Sequence, residues 1–308
     1  MRRIGALLAA GALALAAVAA VAGAASVGEA EPAAAGAEAQ KKKTRPLPPL
    51  PANIRQRGRL NIGVKCDAPP FGYIDVRGQH AGFEIEMARW FSRFAFGKPT
   101  RVNFTCLTTP AREPALTSDR VDMVIATFTY TPDRDTRIDF SRAYYKATGR
   151  LLVRNDAPNN YLSQLAGKTV ATTSGSIYDR WMRNCFKDTR VLVTDSLTNA
   201  VLEFRNGRAD AVMWDDTVLL GIATADRSLK LTNDTFLPLP YGIGIKQGNT
   251  ELKRWIDSRL EVMRKRDTFN TILRNNVPAR LFPSFQRNIL RPNNTFGYTQ
   301  GDPTTQCP

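Results

Sequence analysis

The chain of 308 residues is 43% hydrophobic and 23% charged, an ordinary globular composition that allows two lobes without demanding two independent domains. Its 43 Lys+Arg against 28 Asp+Glu leave a formal charge of +15, compatible with nucleic acid, an anionic envelope or an acidic solute. The cations are scattered, without zinc-finger spacing, an aromatic RNA-binding signature or basic heptads, which argues against a nucleic-acid partner.

Arg2 and Arg3 precede an Ala/Leu/Val run from Ile4 to about Ala25, with Ala22 and Ala24 available for cleavage. This is the pattern of an export signal over residues 1–25. The competing reading is an uncleaved anchor, since the run approaches the roughly 20 apolar residues a membrane span needs. No cysteine follows the run, so a lipid anchor is not indicated. Residues 26–52 are Ala, Glu, Pro and Lys with few large apolar side chains, and read as a flexible linker that cannot offset its ordering entropy.

The folded part begins near Arg59. Leu60, Ile62 and Val64 alternate as a strand ending at Lys65, and Cys66-Asp67-Ala68-Pro69-Pro70 forces an irregular turn. Phe83, Met87, Trp90, Phe91 and Phe94 fall on one helical face after Gly82. Val102 to Cys106 is a second strand and Arg112 to about Thr117 a short helix. Met123-Val-Ile-Ala-Thr-Phe-Thr-Tyr-Thr-Pro-Asp-Arg134 then reads as a buried strand opening onto hydroxyls and a guanidinium, donors suited to an anion beyond a strand's carboxyl end.

The same alternation resumes: strand Lys168–Thr172, helix Ile177–Phe186, strand Val191–Val193, and a helix face of Leu197, Ala200, Val201 and Phe204. Ser118-Asp-Arg-Val-Asp122-Met-Val and Asn206-Gly-Arg-Ala-Asp210-Ala-Val resemble each other, which implies two like α/β lobes with largely parallel sheets. Tyr241 to Lys246 reads as one further strand, Leu252, Trp255, Ile256, Leu260 and Met263 as a helical stripe, and residues 285–308 as an aperiodic C-terminal tail.

Four cysteines in an exported chain are expected to pair, and three pairings are open. The strand positions favour Cys66 with Cys106, leaving Cys185 for Cys307. The single histidine, His80, lies in no catalytic-triad or zinc pattern, so neither a catalytic residue, a metal nor a cofactor is expected.

Leu60-Asn-Ile-Gly-Val-Lys65, Pro70-Phe-Gly-Tyr73, Gly82-Phe-Glu-Ile-Glu-Met-Ala88, the stretch through Pro132-Asp-Arg134, Ile138-Asp-Phe-Ser141 and Tyr144-Tyr145 together resemble the extracellular solute-binding proteins of polar amino-acid ABC importers, nearest their glutamate/aspartate-binding branch. The resemblance covers roughly residues 59–282. It implies the two-lobed periplasmic-binding-protein (type II) fold, two α/β lobes joined by two crossing hinge strands and closing over a ligand. Carried onto this chain, lobe 1 is 53–150 and 242–284 and lobe 2 is 151–241.

The resemblance also implies roles. Arg134 takes the ligand α-carboxylate, for which a guanidinium fork is matched, with Thr127 and Thr129 adding donors. Asp215, with Asp216 in reserve, faces the ammonium. Thr173 and Ser176 reach the α-carboxylate from a helix start. Lys65, Thr109 and Arg112 face the side chain of an acidic ligand. A histidine that some glutamate binders use has no counterpart at Ser196-Leu197-Thr198, which leaves L-glutamate, L-aspartate, asparagine and glutamine open. The implied protein is a non-catalytic monomer, exported to the periplasm or outer cell surface, whose partners are the ligand and membrane permease subunits. A cyclohexadienyl dehydratase-like enzyme on the same fold and an amino-acid sensor ectodomain are the rivals.

The same residues have plainer readings. Arg134 is also a helix-start ion-pair residue, Lys65 a solvated lysine, Arg112 a partner of Glu113 or Asp119, Asp215 a helix cap, and Thr127 and Thr129 strand formers.

Overall fold

The computed structural model describes residues 46–308; the export signal and most of the expected linker lie outside the described residues. The linker reading fails in its last residues. Leu50 is buried, and Ala52–Arg57 forms a helix anchored through Ile54.

Two sheets organise the rest. The first has the order Val102–Cys106, Leu60–Val64, Met123–Ile125, Gly244–Lys246, Ile138–Phe140. Its first three strands are parallel, and Gly244–Lys246 runs antiparallel to both neighbours. Leu60, Ile62, Val64, Met123, Val124 and Ile125 are wholly buried, as expected where helices cover a parallel sheet on both faces. The helix Phe83–Phe96 packs its stripe here, Phe91 lying against Trp255 of the helix Thr250–Lys265. Its start requires Gly82: the residue has φ +119°, and a Cβ there would lie 2.3 Å from the Phe71 carbonyl oxygen.

The second sheet has the order Arg190–Thr194, Thr169–Thr173, Ala211–Asp215, Tyr145–Arg154, Leu229–Leu231, with Phe236–Tyr241 also pairing Tyr145–Arg154. The long antiparallel pair of Tyr145–Arg154 with Phe236–Tyr241 carries the chain into this sheet and back. Thr129 bridges to Tyr241 and Tyr145 to Ile289 where that pair meets the first lobe.

The repeated Asp has one structural cause in both lobes. Asp122 accepts the Asn61 N–H at 2.7 Å and returns its own N–H to the Asn61 carbonyl at 2.8 Å. Asp210 does the same with Thr169, at 2.8 Å and 2.7 Å. Each aspartate thus caps the entry of a neighbouring parallel strand, where the ladder would otherwise leave a donor open.

Three expectations need correction. Tyr241 to Lys246 is not one strand: Tyr241 ends a strand of the second sheet and Gly244 begins one in the first, so the passage between lobes falls inside the apolar run. The passage into the second lobe likewise comes before Tyr145 rather than at Arg150, since Tyr145–Arg154 belongs wholly to the second sheet. Residues 285–308 are not a loose tail. Phe285 and Ile289 are fully buried, Tyr298 stacks on Tyr130 with centroids 4.0 Å apart, and Trp181 Nε1 donates to the Gln306 carbonyl at 2.8 Å. Phe285 and Ile289 stand one turn apart on the short helix Phe282–Asn288 and its cap, while Tyr298 and Gln306 fill separate niches, so no sustained period betrays the segment. The disulfides are Cys66–Cys106 and Cys185–Cys307, the latter fastening the end of the chain to the helix Ile177–Cys185.

Candidate functional site

The strand Met123–Ile125 leaves the first sheet through Ala126, and Thr127 turns the backbone at φ +44°, a left-handed conformation uncommon for a β-branched residue. Two buried charged side chains hold this peptide from opposite ends. Glu84 accepts the Thr127 N–H at 2.8 Å, and Arg112 Nη1 donates to the Thr127 carbonyl at 3.0 Å. Arg112 also donates through Nη1 to the Ala126 carbonyl at 3.1 Å and through Nε to the Thr109 carbonyl at 3.0 Å. Three of its five donors are therefore committed to backbone, leaving the two on Nη2.

Thr131 then caps a four-residue helix, Pro132–Asp135, its Oγ1 accepting the Arg134 N–H at 3.2 Å with proline at the first turn. That short helix aims Arg134 back across the strand end. Its Nη1 donates to the Thr129 carbonyl at 2.8 Å, and its Nη2 donates to the Gly175 carbonyl of the second lobe at 2.9 Å. Arg112 and Arg134 lie over the Phe128 ring, at 4.4 and 5.2 Å from its centroid. Arg134 Nε lies 3.3 Å from Glu113, so the ion-pair reading is satisfied in part. Arg112 pairs with neither Glu113 nor Asp119; Asp119 is taken by Lys246.

Lys65 is not a solvated lysine. It is completely buried, with Nζ 2.8 Å from Asp67 Oδ1 and 3.4 Å from Thr109 Oγ1. Burial lowers its pKa, the Asp67 carboxylate opposes that, and Arg112 adds to the lowering. Burial also lowers Arg134 to about 9, with Arg112 the next cause.

From the second lobe, Thr173 ends a strand and Ser176 caps the helix Ile177–Cys185, its Oγ accepting the Asp179 N–H at 3.1 Å. The Ser176 acceptor is thus committed, whereas Thr173 Oγ1 and Thr127 Oγ1 are buried without a hydrogen-bond partner. Asp215 is buried at the end of its strand and does not cap the following helix. Its two oxygens instead accept the hydroxyls of Tyr178, at 2.6 Å, and Tyr241, at 2.5 Å. Burial raises it to about 6 against those hydrogen bonds, and Arg112 pulls the other way. Asp216 turns back onto its own helix start, bonding the Thr217 N–H and hydroxyl.

Sequence reasoning gave no role to Glu84, Tyr144, Tyr178 or Tyr241. Glu84 is fully buried, accepts the Tyr144 hydroxyl as well as Thr127, keeps Oε2 without a partner, and is raised to about 7 chiefly by burial. A signal for it exists: Glu84 shares a helical stripe with Ala88 and Phe91, an acid on an apolar face. Cys66, His80 and Cys106 bring possible metal ligands within 4.8 Å of one another, but both sulfurs are held in a disulfide.

The lobes are shut on one another. Besides Arg134 to Gly175, Asp67 Oδ2 accepts the Leu197 N–H at 3.2 Å and Arg180 meets Asp133 at 3.0 Å. Two α/β lobes with a crossing strand pair, closed over buried cations and unpartnered hydroxyls, define a type II periplasmic-binding-protein fold. The model of the bacterial extracellular solute-binding proteins, family 3, matches residues 60–278, and the chain belongs to that family. It is 32% identical over 193 residues to the glutamine-binding protein of Geobacillus stearothermophilus, covering 62% of this chain and 74% of the relative. It is 28% identical to the ABC transporter glutamine-binding protein GlnH of Bacillus subtilis (strain 168), covering 72% and 82%. Among solved structures, the solute receptor for L-cysteine of Neisseria gonorrhoeae superposes with a TM-score of 0.73 at 24% identity, covering 76% of this chain and 95% of that one, a likeness of fold. The chain is accordingly a binding protein and not an enzyme.

Proposed function

We propose that the chain is an extracytoplasmic amino-acid-binding protein that captures an acidic L-amino acid, glutamate or aspartate, and delivers it to the permease of an ABC importer. The observation that carries this reading is the burial of three cations in one cluster, Lys65 and Arg112 meeting at Thr109 and Arg112 and Arg134 lying over Phe128. Buried charge is costly unless it is paired, and the carboxylates of an acidic amino acid supply partners at both ends. Arg134, with Thr127, Thr129 and Thr173, takes the α-carboxylate; Asp215 takes the ammonium; Lys65, Thr109 and Arg112 face the side chain. Ser176 contributes through the helix start it caps. The glutamine-binding relatives support an amino acid of this length as ligand.

Because a ligand shifts the open and closed populations only by its differential affinity, closure follows from contacts made to both lobes at once. Lys65→Met tests the assignment by calorimetry. Glutamate affinity is expected to fall about tenfold or more, the worth of one charge-assisted contact, with a smaller loss for glutamine. Equal losses for the two ligands would remove Lys65 from the side-chain end.

A further inference from the structure

We infer that Asp67 is a specificity-determining residue: paired with Lys65, it offers the ligand's side-chain end an acceptor beside a donor, so that the cleft admits a carboxamide as well as a carboxylate. This rests on the reading above for placing the side-chain end at Lys65. Asp67 Oδ1 stands 2.8 Å from the Lys65 ammonium as an ion pair and accepts no other hydrogen bond. The side chain cannot swing away freely, because Oδ2 accepts the Leu197 N–H from the first turn of the helix Leu197–Arg205 in the other lobe. Its backbone is fixed as well, Asp67–Ala68 pairing with Gly72–Ile74.

The other charges there are already allocated. Arg112 has given three donors to backbone carbonyls and acts on Lys65 as a like charge, while Glu84 acts as an opposite one at longer range. A ligand carboxylate at Lys65 must share the ammonium with Asp67 and bears the repulsion of a fixed anion beside it. A carboxamide does not: its oxygen accepts from Lys65 while its N–H donates to Oδ1, leaving neither group unpaired. Asp67 therefore costs acids and favours amides, which moves the ligand class from acids alone to acids and their amides. The contact with Leu197 also draws the lobes together, but it serves every ligand alike and cancels in a ratio of affinities.

The test is calorimetry on the oxidised, exported form of the chain with L-glutamate, L-glutamine, L-aspartate and L-asparagine. Asp67→Asn keeps an oxygen for Leu197 and removes the charge. The amide-to-acid affinity ratio is expected to shift toward the acids by about tenfold, one charge contact's worth. Asp67→Ala should shift it the same way and guards against an altered rotamer in the asparagine variant. A uniform loss across all four ligands, with the ratio unmoved, overturns the proposal and leaves Asp67 a closure contact only. Lys65→Met separates the two readings: if it moves the ratio and the Asp67 variants do not, the role of Asp67 alone falls. If neither moves it, the side-chain end is not at Lys65 and both readings fall.

Discussion

The two walls of the cleft are built from opposite materials. The first lobe brings buried cations whose donors are largely engaged already: Arg112 on three backbone carbonyls, Arg134 on Thr129 and on Gly175 across the gap, Lys65 on Asp67. The second lobe brings a hydroxyl without a partner, a capped helix start and one buried acid held by two phenols. Capture and closure are therefore unequally shared. On the proposed reading the first wall supplies the charge that draws an anion in, and the second supplies contacts that become available only when the lobes meet.

The hardest break of this asymmetry is Arg134→Ala. Among the buried cations of the described residues Arg134 alone donates to both walls, so its removal takes away the proposed anion partner and a closing contact together. Truncating one member of a buried charged contact costs about 3–5 kcal/mol, so calorimetry should find binding of every amino acid lost or weakened more than about a hundredfold. Retained affinity would mean that the first wall does not hold the α-carboxylate.

Arg112→Met separates structure from recognition within the same wall. It orphans the Thr109, Ala126 and Thr127 carbonyls in a buried turn, and the expected cost is about 2–4 kcal/mol of folding stability, read by urea unfolding without ligand. A variant as stable as the parent would make Arg112 a ligand contact alone. Phe128, beneath both guanidiniums, would keep part of the packing in either case.

Much of this was legible from order and spacing. The strand running into Thr127, Thr129 and Arg134 marked the buried strand end where the cations gather, and the repeated Asp122 and Asp210 announced two like lobes, because strand periods and polar strand ends are local properties. What stayed hidden depends on tertiary partners. Nothing in Lys65-Cys-Asp67 reveals that the two charges meet, since Lys65 lies just past one strand and Asp67 begins another, and only the pairing of Asp67 with Tyr73 sets the turn. Tyr178 and Tyr241 converge on Asp215 from positions 37 and 26 residues away, with no pattern linking them. The split of Tyr241–Lys246 between two sheets is silent in the residues themselves, because an apolar run reads alike in either lobe, and only the resemblance put a lobe boundary after residue 241.

On the second wall, Asp215 gives a pH test. Burial raises it to about 6, and an incoming ammonium favours its charged form. Below that pH the acid is protonated and the ammonium loses its counter-charge, so affinity should fall toward tenfold for each pH unit lowered. Glutamate affinity constant from pH 7 to pH 5, with the protein still folded, would take the ammonium away from Asp215.

Glu84 is the exception on the cationic wall, and the smallest effect tests it. Its carboxyl is raised from the ordinary 4.5 to about 7 by burial, so between those values the folded chain binds a proton that the unfolded chain has released. Stability from this group is therefore fullest below the ordinary carboxylate range and declines as pH rises toward 7, then levels off. Asp215 contributes the same sign, mostly below about 6, and His80, lowered by burial, contributes the opposite sign, so what belongs to Glu84 above pH 6 is the difference in slope between the parent and a Glu84 variant. Across one pH unit there that difference is about 1 kcal/mol, read by urea unfolding of the parent and Glu84→Gln at pH 6 and pH 7. The glutamine keeps an acceptor for Thr127 N–H, so the turn at Thr127 need not collapse for the slope to change. A slope unchanged by the substitution would mean that Glu84 stays ionised throughout, making the first wall's buried acid a permanent counter-charge to Arg112 and Lys65. In that event the net positive charge offered to a ligand is one unit smaller, and the balance between acid and amide tilts further toward the amide.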